Sequence, residues 1–217
     1  MHINKTGGTS IINMLKEFDD KAIIRKGHPF LYRSVRPLIR GKRGKALPPI
    51  LVQSDKFDNY FKFTFVRNPW DRMVSLYFHI RRQASWLPNG SAGRDAKIMV
   101  GQALRKMSFN DWILGEKEYS FKSTMFIYPQ LDWVLDQNQK IGADFIGRLE
   151  TFRKDFFYVC DKIKTQRPKV LRHSKNRRGR FNYMVPPYWE HYNDESIEVV
   201  RNVYKKDIDY FGYQFGK

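Results

Sequence analysis

The chain has 217 residues, 41% of them hydrophobic, which suits one buried core in a single domain spanning residues 1–217. No apolar run approaches the roughly twenty residues that a membrane-spanning helix needs. Forty Lys and Arg against twenty-two Asp and Glu give a formal charge of +18, a bias toward an anionic cofactor, glycan, nucleic acid or membrane surface that does not choose among them. The lone Cys160, in the apolar context YVC, excludes an internal disulfide and a cysteine-rich zinc site and reads as buried packing.

Met1-His2-Ile3 runs directly into a glycine loop. That start leaves no room for a targeting segment, and it suggests that an upstream piece of the first strand, or an anchor, is missing from the sequence. In HINKTGGTSI a short strand, a tight loop and a helix start are expected in succession. Lys5 brings positive charge, Gly7 and Gly8 permit close approach, and Thr9 and Ser10 open a helix whose first amides favour an anion. The order is not that of the common nucleotide-triphosphate loop, in which Gly-Lys-Ser/Thr follows four variable residues. An ordinary turn in a basic chain is the competing interpretation.

Further along, Ala22–Ile24 is expected to be a short strand and the basic, proline-bearing Arg33–Pro49 a surface loop, either a solubilising face or a contact for an acidic substrate. The alternating YFKFTFV segment, Tyr60–Val66, predicts a buried strand. Arg67 follows it. Asn68 then caps and Pro69 begins a helix whose Trp70, Met73, Val74, Tyr77 and Phe78 form an apolar face, with Ser75 turned away from much of it. Arg67 at the strand exit and Ser75 two turns into the helix are placed to approach one anion from different elements.

A longer helix is expected at Arg94–Leu114, another strand at FFYV, Phe156–Val159, and a packed C-terminal helix carrying Ile197, Val200, Tyr204, Ile208 and Phe211. Strands interleaved with amphipathic segments make this an α/β chain.

HINKTGGTS and FVRNPWDRMVSLYFH together resemble the two cofactor-binding motifs of the carbohydrate sulfotransferases, especially the family containing heparan sulfate 2-O-sulfotransferases and bacterial relatives. The resemblance continues through YPQLDW, IGADFIGRLETF and YWEHYNDESIEVVRNVYKKDIDYFGYQF. It implies a central, mainly parallel sheet flanked by helices, as in P-loop nucleotide kinases, and 3′-phosphoadenosine 5′-phosphosulfate (PAPS) as sulfuryl donor, with no metal. A kinase is the nearest competitor on fold, but the GKS/T magnesium-binding ending is missing from the loop.

By the same resemblance, Lys5, Thr6, Gly7, Gly8, Thr9 and Ser10 surround the donor's 5′-phosphosulfate, and Arg67 and Ser75 bind its 3′-phosphate. The segment LRHSKNRRGRFNY falls where the family places a loop across the nucleotide, with Arg177 and Arg178 the preferred contacts. A general basic surface is the alternative there. Gly147, Arg148 and Glu150 match a further family segment and are expected to order a helix end beside the cofactor wall.

His28, in RKGHPFL, corresponds to the family's catalytic histidine and is the expected general base, with Lys5 stabilising charge on the leaving phosphate. His79 is expected to pack, His173 and His191 are secondary acceptor-site candidates, and His2 belongs to the first strand. The implied acceptor is a hydroxyl of an oligosaccharide or polysaccharide. The compartment would be cytoplasmic for a complete bacterial chain and the Golgi lumen for a catalytic domain lacking its anchor. The main alternative is a basic nucleic-acid-binding protein, favoured by the charge and the RHSKNRRGR run but without zinc-finger spacing or an RNA-recognition signature.

Overall fold

The computed structural model describes residues 3, 5–18, 61–83, 101–115, 128–136, 138–169, 171 and 186–216. In chain order the elements are α1 (Gly8–Phe18), β1 (Phe63–Val66), α2 (Pro69–Gln83), α3 (Phe109–Leu114), β2 (Phe145–Arg148), α4 (Phe152–Lys162), α5 (Asp194–Val203) and α6 (Lys205–Phe211). Single 3₁₀ turns lie at Leu131–Trp133 and Tyr188–His191. The chain forms two compact units. The described residues up to 67 and from 130 to 186 make the first, and those from 68 to 129 and from 187 onward the second.

In the first unit β1 and β2 pair in parallel, with Phe63 opposite Phe145 and Val66 opposite Arg148. The ladder extends one step further, where the Leu149 N–H donates to the Val66 carbonyl at 2.8 Å. Gly147 faces Phe65 in this register, and a Cβ at Gly147 would lie 2.6 Å from a carbon of the Phe65 ring, so the absence of a side chain lets the ring lie flat on the strand. Phe65 joins Ile11 and Met14 of α1 and Phe152, Phe156, Val159 and Cys160 of α4 in one core cluster. Each such side chain contributes roughly 1.5–3 kcal/mol through removal from water, which fastens both helices to the strand. Burial of Cys160 also pushes its thiol pKa up.

Phe156–Val159 is therefore not a strand. It lies inside α4, where Phe152, Phe156, Val159 and Cys160 recur at helical spacing and are buried, while Tyr158 is exposed. A four-residue apolar run fits either structure, and here the inward stripe of a helix takes it. The sheet's second described strand is instead FIGR. The Arg148–Glu150 segment, expected to order a helix end, lies at the junction between this strand and α4. The strand hands over to α4 through Asp155, whose Oδ2 accepts from the Arg148 N–H and the Thr151 hydroxyl, both at 2.7 Å.

The second unit is helical and aromatic. Asn68 starts α2 as expected: its Oδ1 accepts from the Trp70 N–H at 3.1 Å, and its amide nitrogen donates to the Tyr188 hydroxyl at 3.2 Å and the Gln214 carbonyl at 3.0 Å. Trp70, Met73, Val74, Leu76 and Tyr77 are buried along the helix. The expected helix over Arg94–Leu114 is broken. Residues 101–105 are helical, the chain turns at 106–107, and α3 begins afresh behind a capping box made by Ser108 and Asp111. The C-terminal helix also divides, at Tyr204, into α5 and α6. Its stripe survives the break, since Val200, Tyr204 and Phe211 all stay buried. Among the described residues, no helix is long and apolar enough to cross a membrane.

Candidate active site

The N-terminal loop is a strained turn closed onto a helix. Lys5 has φ +68°, left-handed backbone that a side chain disfavours, and Gly7 has φ +85°. A Cβ at Gly7 would approach the Leu149 Cδ1 to 2.9 Å, so the left-handed conformation favours glycine there and any side chain would also displace the end of Leu149. The Gly7 carbonyl accepts from the Ser10 N–H at 2.9 Å and the Ile11 N–H at 3.1 Å, which starts α1 at Gly8. The start of a helix carries the positive end of the dipole, so a turn of this kind suits an anion. The Thr6 hydroxyl donates to the Ile3 carbonyl at 2.8 Å, and this buried side chain thereby shapes the loop from within.

Arg67 comes to the same loop from the exit of β1. It is 7% exposed, and its Nη1 donates to the Lys5 carbonyl at 3.3 Å. The guanidinium therefore reaches the loop's backbone at the residue with the unusual φ. Gln130, fully buried, brackets the Arg67 backbone: its Oε1 accepts from the Arg67 N–H at 2.9 Å and its Nε2 donates to the Arg67 carbonyl at 2.8 Å. Nothing local in YPQLDW points to that contact, which joins residues 63 positions apart. Leu149 and Phe152 flank Gly7 and also line an open hollow of about 380 Å³, with Glu150, Thr151, Arg153, Lys154 and Leu171 completing its wall. Two cations thus border the hollow.

The structure brings Lys5, Thr6, Gly7, Gly8, Ser10 and Arg67 together in the first unit. Thr9 occupies the second position of α1, its side chain outside the described residues. Ser75 is half-buried on α2 in the second unit. His28, Arg177 and Arg178 lie outside the described residues, as do His2, His173, Ala22–Ile24 and Arg33–Pro49. His191 packs its ring against Phe78 and Phe109, with centroids at 5.2 and 6.1 Å, inside an aromatic cluster. His79 is half-buried on α2. No group of three or more potential metal-ligating side chains occurs among the described residues.

A model described as the sulfotransferase family matches residues 1–214, and the chain belongs to that family. Membership carries the class of reaction, sulfuryl transfer with PAPS as donor. An uncharacterized protein of Archaeoglobus fulgidus is 29% identical over 126 residues, covering 58% of this chain and 78% of that protein. No solved structure matches.

Proposed function

We propose that residues 1–217 are a sulfotransferase domain that transfers the sulfuryl group of PAPS to a hydroxyl of a carbohydrate, an oligosaccharide or polysaccharide. The observation that carries this reading is the convergence of Arg67 on the Lys5–Gly7 turn, which joins the two phosphate-binding motifs of the sequence at one hydrogen bond. Lys5, Thr6, Gly7, Gly8, Thr9 and Ser10 hold the 5′-phosphosulfate. Arg67 and Ser75 take the 3′-phosphate, and Arg177 and Arg178 belong to the loop that covers the donor. The +18 charge suits both a doubly anionic donor and an acidic glycan acceptor.

In the reaction the acceptor oxygen attacks sulfur in line with the departing phosphate oxygen. The new O–S bond forms as the bond from sulfur to the bridging oxygen breaks, and the hydroxyl proton passes to His28. Lys5 and the first amides of α1 stabilise the negative charge that collects on the leaving phosphate. The products are an O-sulfated acceptor and adenosine 3′,5′-bisphosphate. No step requires a metal.

Incubation with PAPS and a panel of desulfated and partly sulfated glycans tests the proposal, with product mass and linkage as readout. Acceptor-dependent release of adenosine 3′,5′-bisphosphate with a matching gain of sulfate is the expected result. Saturable PAPS binding without transfer to any glycan in the panel would remove the carbohydrate acceptor. His28→Ala is expected to suppress turnover while leaving donor affinity near its original value. Unchanged turnover in that variant would dismiss His28 as the base.

A further inference from the structure

Arg67 sits where the described ladder ends. The Val66 carbonyl is still engaged by the Leu149 N–H, and at the next residue the Gln130 side chain takes the place of a neighbouring strand. A carboxamide presents one acceptor and one donor side by side, at a spacing that matches the N–H and C=O of a single peptide residue. An ionised glutamate offers only acceptors, and methionine or leucine offers no matching pair. Gln130 is fully buried, so an unmatched backbone group beside it is costly.

The clamp continues to the phosphate loop. With its backbone fixed on both polar groups, Arg67 sends its guanidinium to the Lys5 carbonyl, and Lys5 holds the left-handed backbone that turns the chain toward α1. Gln130, Arg67 and Lys5 thus form a short relay of hydrogen bonds within the first unit.

We propose that Gln130 is a positioning residue that aims Arg67, and that through Arg67 it sets the preference for a nucleotide carrying a 3′-phosphate. This inference rests on the donor assignment made above. Gln130 touches no reacting atom in it. Its effect passes through the direction of one guanidinium, so it must vanish when that guanidinium is removed.

Calorimetric titration of the full chain with adenosine 3′,5′-bisphosphate and with adenosine 5′-phosphate tests the relay. The wild-type chain is expected to favour the bisphosphate. Gln130→Met should lose about tenfold of that preference, the scale of one hydrogen bond to a charged group, with adenosine 5′-phosphate affinity nearly unchanged. In an Arg67→Ala background the same substitution should change the preference no further, because both residues act on one contact.

Equal weakening toward both nucleotides, or an unchanged preference, would overturn the inference and leave Gln130 a residue of the fold alone. A wild-type chain with no preference for the bisphosphate would overturn the donor assignment and the inference together, which separates the two failures. If the methionine variant does not fold, Gln130→Asn replaces it. That side chain keeps the polarity of the site but is one methylene too short to bridge both groups, so it too must lose the preference.

Discussion

The two units dispose of polar groups in contrasting ways. In the second, phenols and amides close the fold on itself: the Tyr192 hydroxyl donates to the Trp70 carbonyl at 2.8 Å, the Trp70 indole N–H to the Ile197 carbonyl at 3.1 Å, and the Tyr204 hydroxyl to the Met73 sulfur at 3.4 Å. Asn110 Oδ1 accepts from the Ser196 hydroxyl at 2.7 Å, which ties α3 to the capping box of α5. In the first unit a buried arginine and a buried glutamine instead support a loop with two left-handed residues, Lys5 and Gly7. Hydrogen bonds in one unit hold helices together, and in the other they support a strained turn. Backbone strain survives only where surrounding structure over-determines it, and the clamp on Arg67 supplies part of that constraint.

Substitutions that act on one unit alone put this contrast to the test. The largest effect is expected from Lys5→Ala, with turnover on a verified glycan acceptor falling roughly a hundredfold to a thousandfold while thermal unfolding changes little. Turnover at the original rate would take Lys5 out of the chemistry. Gly7→Ala should cost stability as well as donor binding. A methyl at φ +85° that also presses on Leu149 is expected to lower the urea-unfolding free energy by about 2 kcal/mol. Unaltered unfolding would show that the loop relaxes without penalty.

Tyr192→Phe belongs to the other side of the comparison. It removes the donor to the Trp70 carbonyl and is expected to cost about 1 kcal/mol of stability, with adenosine 3′,5′-bisphosphate affinity unchanged. Weaker nucleotide binding in that variant would blur the division between the units. The phenols also set an alkaline limit, because burial pushes the pKa values of both Tyr192 and Tyr204 above the ordinary tyrosine range. A raised folded-state pKa means that the stability is fully present below the unfolded-state value. It is lost as pH climbs beyond about 10, when unfolding lets the phenols ionise. Urea titrations across that range should show stability falling, and falling less steeply in Tyr192→Phe.

The smallest effect is reserved for the Arg167–Asp161 pair, exposed on both sides. Its hydrogen bond with Arg167 holds the Asp161 carboxyl below the usual range, so its contribution exists above the ordinary carboxylate pKa and fades as pH drops through the folded value. Solvent and salt screen it, and Asp161→Asn should leave the melting temperature unchanged at physiological salt.

Some of this molecule is legible along the chain. The glycine turn, the cap at Asn68, the proline start of α2 and the buried Cys160 all follow from chemistry confined to a few neighbouring residues. FFYV and FIGRLE are not legible in that way. The first is too short to show whether its period is that of a strand or of a helix, and in the second a glycine that leaves room for Phe65 interrupts the apolar pattern. For the candidate site, Lys5, Gly7 and Arg67 carry their charge or their glycine in plain view. Gln130 does not, since an amide in YPQLDW has no signature until the peptide it brackets is known.

The sequence by itself determined the glycine turn, the basic residues beside it and at the exit of β1, and the local starts of the helices that follow, because caps, glycine conformations and charge act within a turn or two. Only the tertiary structure decided that Arg67 meets the Lys5 carbonyl, that FIGR pairs with β1, and that a glutamine 63 positions away holds the strand exit. These depend on which backbone groups the fold leaves without a neighbour. A buried donor or acceptor takes whatever partner the packing brings within reach.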